Sequence, residues 1–288
     1  MSGLATAVRI VVGAPLLWVG IAIAQWLAAK LASVPTIVAV SAAVEGYGPG
    51  TRPESVERVL AVVAEVVIAE PSVLAVLVVS VGVAAVVSAI VWTVLSGAVI
   101  ARYALADVDR APSRHEVGGR WAATLPAVVV QTLWHWLLRV AAVVAAATAV
   151  GSLPDPALAI VTGITLLVSA VALDLARAGV VTEQASRFHP RTAARAFTVA
   201  LRTPGLLLPA VGLAAAGWLA AGVTAMAALW SLSDPGWLWG ARAATAVGLA
   251  FVLVRLAFVA RHPATADLVK PPERDSEADP EPDPEPAG

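Results

Sequence analysis

An all-α bundle of membrane-spanning helices is the fold this sequence predicts, on three observations. Of 288 residues, 59% are hydrophobic and 14% charged, whereas a soluble domain carries roughly 25% charged residues. The mean hydropathy of +0.83 leaves too few polar side chains to cover a globule of this size. The apolar residues also run in long unbroken stretches, without the alternation that barrel strands would need.

Six stretches qualify as spans: 10–31, 73–100, 123–150, 156–179, 204–230 and 237–260. At about 1.5 Å rise per residue, a helix of each length crosses a hydrocarbon core of about 30 Å. Lipid offers the backbone no hydrogen-bond partner, so each span must satisfy its own amides as a helix. The first span follows Arg9. It is longer than the core of a cleavable signal, and no clear small-x-small site comes after it, so it reads as a retained helix. Residues 1–270 thus form one transmembrane domain, and 271–288 a separate tail.

The spans pair into three hairpins. Span 3 opens Leu125-Pro126-Ala127-Val128 with Trp134 downstream, and span 5 opens Leu208-Pro209-Ala210-Val211 with Trp218 downstream. Span 1 also carries a proline followed by a tryptophan, Pro15 and Trp18. These matches suggest hairpins of common design.

Arginines set the expected orientation. Connection 101–121 carries Arg102, Arg110, Arg114 and Arg120, and connection 180–203 carries Arg187, Arg191, Arg195 and Arg202. Connections 151–155 and 231–236 carry none. Basic residues stay on the cytoplasmic side, which predicts a plasma or inner membrane protein with both termini in the cytoplasm.

Two connections read as amphipathic helices at the interfaces. In the long first connection, 32–72, Thr51-Arg52-Pro53-Glu54 is a capping box, and Glu54, Glu57, Arg58 and Glu65 share one face of the helix that follows. The second places Arg191, Arg195 and Arg202 on one face, with Phe197 and Leu201 away from it. The tail from Pro271 alternates proline with acid, carries a net charge of −6, and predicts disorder.

Several function classes drop out. The chain has no cysteine, which removes disulfides, thiolate catalysis and cysteine-ligated metal. It has no HExxH, no Gly-x-Ser-x-Gly elbow, no Walker lysine loop and no kinase motif set. Its four histidines are scattered over different segments, and no pair of carboxylates lies within a span. No catalytic residue, cofactor or metal is therefore expected. Nor is nucleic acid a partner, because no basic, aromatic-interleaved surface lies outside the membrane-flanking loops.

The candidate polar site lies in span 3. Gln131, His135 and Arg139 are spaced i, i+4, i+8, one stripe along a helix, with Trp134 and Trp136 beside it. A charge at mid-span costs at least about 2.5–3.5 kcal/mol to insert, so Arg139 is expected to face the bundle interior or a wet cavity. The stripe reads either as structural, with Arg139 bonded to carbonyls or snorkelling, or as a ligand or proton site. Asp174, near the inner end of span 4, is expected to pair with Arg177 one turn on, and a face-to-face packing of spans 3 and 4 would bring it to His135. Arg255 is expected to snorkel towards Arg261. Arg242, with Trp237 and Trp239, reads as an outer-interface group. Gln25, Ser80, Ser88, Thr93 and Ser96 read as interhelical hydrogen bonders, and Gly212, Gly217 and Ala221 as sites of close helix approach.

The stretch Asp174-Leu-Ala-Arg-Ala-Gly-Val-Val-Thr-Glu183, followed after a proline-containing turn by Arg191-Thr-Ala-Ala-Arg195-Ala-Phe, resembles a pattern in uncharacterised prokaryotic six-helix membrane proteins. Those proteins are similar to the membrane domain attached to some glycerophosphodiester phosphodiesterases. The resemblance covers about thirty residues, and the soluble phosphodiesterase domain has no counterpart here, so it implies a membrane module without hydrolase activity. The expected function is a non-catalytic module acting through membrane lipids, a protein partner or a second copy of itself. The alternative is a small transporter or permease subunit built on the span 3 stripe.

Overall fold

The computed structural model describes residues 3–45, 61, 64–65, 68, 71–106, 111–150, 155–182, 190–231 and 236–268, all helix or short turn and without a strand. The helices are α1 (Gly3–Val12), α2 (Pro15–Glu45), α3 (Pro71–Leu105), α4 (Arg114–Val150), α5 (Asp155–Thr182), α6 (Pro190–Arg202), α7 (Pro204–Trp230), α8 (Trp237–Ala260) and α9 (Ala264–Asp267). Five are long and apolar enough to cross a membrane, and six if the bent pair α1–α2 counts as one span. The chain is a multi-pass membrane protein of all-α class. Its most extensive helix contacts join α2 to α3, α4 to α5 and α7 to α8, three antiparallel hairpins. The acidic tail lies outside the described residues, as does most of the 51–71 amphipathic segment.

The first span differs from expectation. The chain bends by 74° between α1 and α2, where Gly13 is followed two residues on by Pro15, the first residue of α2. Proline is favoured at a helix's first position, because it has no amide hydrogen to leave unpaired there, and it cannot continue a helix running into it. Residues 10–12 therefore belong to α1, whose Ala7 and Val11 are buried. Gly3 comes close to the Phe258 ring of α8. Helix α2 runs on past residue 31 to Glu45, so helix fills the start of the expected 32–72 connection.

The hairpins hold together by small-residue contact and by hydrogen bonds from side chains to backbone. Between α7 and α8, a Cβ placed on Gly248 would stand 3.1 Å from the Ala220 Cβ, and one on Gly217 would stand 3.6 Å from Val252. Gly212 has nothing within 4 Å and Ala221 is exposed, so neither is part of that seam. On α3, Gly97 leaves room for Trp121 of α4, whose Nε1 donates to the Val94 carbonyl at 3.1 Å.

The end of the bundle that collects arginines is closed by helix caps. Ser113 and Glu116 form a capping box at the start of α4: the Ser113 amide donates to Glu116 Oε2 at 2.8 Å, and the Glu116 amide to Ser113 Oγ at 3.2 Å. Arg120 donates to the Val181 and Thr182 carbonyls at 3.3 and 2.8 Å, placing a cation on the negative end of α5. Arg261 donates to the Ala106 carbonyl after α3. Helix α6 lies against α5, α4 and α7. Its Ala193, Ala196 and Ala200 are buried, while Leu201 is 60% exposed beside exposed Arg202. Leu201 is thus exposed without lying on the basic face, and small alanines, which let the backbone approach closely, form the packing face.

Candidate functional site

Four helices converge on the polar residues near the middle of the bundle. Gln131 and His135 of α4 are fully buried, at 0% and 1% exposure, and Arg139, one turn further, is half-buried. Arg139 meets Ser169 of α5, whereas His135 meets Phe197 of α6. Asp174 and Arg177 come from the stretch of α5 in which every residue from Val171 to Val181 is buried. Arg255 projects from α8, and Thr93 from α3.

The ionic pairing is not the one expected. Arg255 Nε donates to Asp174 Oδ2 at 2.7 Å, both side chains nearly excluded from solvent. Arg255 therefore does not snorkel, and Asp174 pairs across helices rather than with Arg177 along its own. Arg177 instead donates from Nε and from one terminal nitrogen to Thr132 Oγ1 at 3.0 and 2.9 Å, and from the same terminal nitrogen to Thr93 Oγ1 at 3.3 Å. The hydroxyls can accept because each donates its own proton back along its helix, Thr132 to the Val128 carbonyl and Thr93 to the Ala89 carbonyl, both at 2.7 Å. Arg139 Nε donates to Ser169 Oγ at 2.8 Å, and its guanidinium lies over the Trp136 ring at 5.4 Å.

Three guanidiniums thus stand against one carboxylate within the spans; the remaining carboxylates of the described helices lie within one turn of a helix end. Because the guanidiniums are held by side chains from other helices, these contacts tie α5 to α3, α4 and α8, the Arg139–Ser169 bond lying about two turns along the helices from the Arg177–Thr132 bond. Each held charge still costs desolvation, and the hydroxyl partners offset it only in part.

His135 belongs to this level of the bundle but not to the network. Its ring stacks on Phe197 of α6, centroids 5.3 Å apart and planes 22° from parallel. Among the described residues neither ring nitrogen has a hydrogen-bond partner. Asp174 faces Arg255 instead of His135, so the packing of α4 on α5 does not produce the shared hydrogen bond that the sequence allowed.

Of the span 2 hydroxyls, Thr93 does reach another helix, whereas Ser96 donates to the Thr93 carbonyl of its own helix at 3.0 Å. The Thr132 and Ser169 contacts were missed by the sequence reading. The available signal was a weak one: a hydroxyl residue on the facing span at the same depth as each arginine. Among the described residues no group of three acidic or histidine side chains is placed to hold a metal ion.

Among the described residues, three grooves on the flanks of the bundle bear on function. One, of about 760 Å³, runs between α2, α3 and α8. A second, of about 740 Å³, is walled by α5, α7 and α8 and carries Trp218, Trp230 and Trp237. The third, of about 480 Å³, lies between α3 and α4, and its lining includes Thr93 and Thr132, the two hydroxyls that hold Arg177. Comparison with known protein families, curated proteins and solved structures finds no match for this chain.

Proposed function

We propose that this chain is a non-catalytic membrane module that acts through lipids held in the grooves on its flanks. One observation carries the reading: the arginines of the bundle centre are each held by a protein side chain, while the described grooves are lined mainly by apolar side chains and open to the side. Volumes of several hundred cubic ångströms with apolar lining suit acyl chains, and they fall in the range of small-molecule sites in general. A pathway for a charged solute would need the central guanidiniums turned towards an open cavity, and they are turned instead towards side chains of neighbouring helices. The absence of hydrolase motifs, and the module implied by the resemblance of residues 174–197, agree with this reading.

The arginine-rich end is assigned to the cytoplasm and the membrane to the plasma or inner membrane, on the distribution of basic residues. The chain has no cysteine, so single introduced thiols report topology without background. Ala111→Cys is expected to resist a membrane-impermeant maleimide in intact cells and Ser231→Cys to react. The opposite pattern would invert the assignment.

The test of the module reading is purification followed by lipid extraction and a flux assay in vesicles. Co-purifying phospholipid with no solute flux supports it, and a chain that retains no lipid sinks it. The rival reading, a small transporter, rests on His135, a buried ring without hydrogen-bond partners next to Gln131. It predicts that Arg139→Leu abolishes flux while the fold survives. A structural arginine predicts lost stability instead.

A further inference from the structure

The groove between α2, α3 and α8 differs from the other two in one respect: it is lined by a charged side chain. Arg242 stands five residues into α8 from Trp237, about 27 Å along the helix axis from the arginine-rich end at Ala260. That separation is close to the thickness of a hydrocarbon core, so Arg242 lies at the level of the opposite membrane surface. Its guanidinium rests over the Trp239 ring at 5.0 Å and is exposed. Among the described residues no carboxylate pairs with it, in contrast to Arg255, and no hydroxyl holds it, in contrast to Arg139 and Arg177.

Below Arg242 the groove is walled by Ala22 and Trp26 of α2, Trp92 of α3, and Ala246 and Leu249 of α8. Leu249 lies seven residues, or about 10 Å, deeper along α8. Gln25, at the groove wall, adds a polar group within the apolar surface. A cation at the membrane surface above an apolar channel running towards the midplane is complementary to an amphiphile with an anionic head and a hydrocarbon chain. A guanidinium matches phosphate oxygens in geometry as well as charge.

We propose that the α2–α3–α8 groove binds an anionic phospholipid, its phosphate on Arg242 and an acyl chain along Ala22, Trp92 and Leu249. The inference rests on the lipid-module reading and names its site and headgroup class. The grooves between α3 and α4 and between α5, α7 and α8 carry no charged lining residue, so they take acyl chains without regard to headgroup and serve as internal controls.

The experiment is native mass spectrometry of the full chain in detergent, titrated with phosphatidylglycerol or with phosphatidylcholine of the same acyl chains. The wild type is expected to retain one phosphatidylglycerol about tenfold more tightly than phosphatidylcholine, the size of one charge-assisted contact. Arg242→Gln is expected to erase that preference and Arg242→Lys to keep part of it. Ala22→Phe, which fills the groove and leaves the charge in place, is expected to remove the same tight phosphatidylglycerol. Thermal unfolding of each variant checks that it is folded. If Arg242→Gln does not fold, Ala22→Phe and Arg242→Lys carry the test. A wild type without headgroup preference, or a preference that survives both Arg242→Gln and Ala22→Phe, overturns this site while leaving a lipid-binding module standing. A wild type that retains neither lipid overturns both.

Discussion

Arg255 of α8 and Asp174 of α5 meet through a 2.7 Å hydrogen bond between residues 81 apart in the chain. Neither helix is the other's hairpin partner, so this bond joins the second hairpin to the third. Removing one member of a buried pair strands the other as an uncompensated charge, which costs about 3–5 kcal/mol, whereas replacing both by apolar groups is often close to neutral. Asp174→Asn and Arg255→Leu are each expected to lower thermal stability strongly, and the double replacement Asp174→Leu with Arg255→Leu to recover most of the loss. Additive losses in the double variant would show that the two side chains act separately.

Arg177 gives a graded prediction. Thr132 accepts two of its hydrogen bonds at short range and Thr93 one longer bond. Hydrogen bonds to charged groups contribute about 1.5–3 kcal/mol each at good geometry. Thr132→Val is therefore expected to destabilise by about 3–6 kcal/mol and Thr93→Val by about half as much or less, read as shifts in denaturation midpoint. Equal effects would mean that the two hydroxyls share the guanidinium evenly.

Close approach of α7 and α8 is tested at glycine. Gly248→Val forces atoms into space held by Ala220 and by the Gly217 carbonyl, an overpacking expected to cost about 1–3 kcal/mol. Gly212→Ala meets nothing within 4 Å and is expected to be neutral or to stabilise by about 0.5–1 kcal/mol through helix propensity. A destabilising Gly212→Ala would place an unrecognised contact on that face of α7.

His262 follows α8 at the arginine-rich end and predicts a pH dependence. Burial lowers its pKa below the usual 6.5, because the charged ring is the form penalised by desolvation. Its Nδ1 also accepts the Ala264 amide at 3.2 Å, which a protonated nitrogen cannot do. A base with a depressed folded pKa contributes stability that is present above its unfolded pKa and is lost as the pH falls through the folded value. The melting temperature is expected to fall on acidification below about pH 6.5, with His262→Gln flattening that part of the profile. A slope that survives the substitution assigns the effect to another group.

Residue identity and spacing alone determined the solvent and the class of fold. Runs of apolar residues about the length of a bilayer leave a helix as the backbone's way to satisfy its amides, and that constraint needs no knowledge of neighbours. Five of the six predicted spans lie within helices that prove longer, or match them, as 204–230 and 237–260 do. Even the break at Pro15 carried a local signal, a glycine two residues ahead of a proline in the first span. The i, i+4, i+8 stripe was legible for the same reason: it depends on the period of one helix. The partners of its charges were decided by tertiary structure. Asp174 had Arg177 one turn away in sequence and took Arg255 from another hairpin. Arg177 took hydroxyls from α3 and α4. Which side chains share a depth and face one another depends on how hairpins rotate and slide against each other, a property of packing in all three dimensions that no periodicity along a single helix encodes.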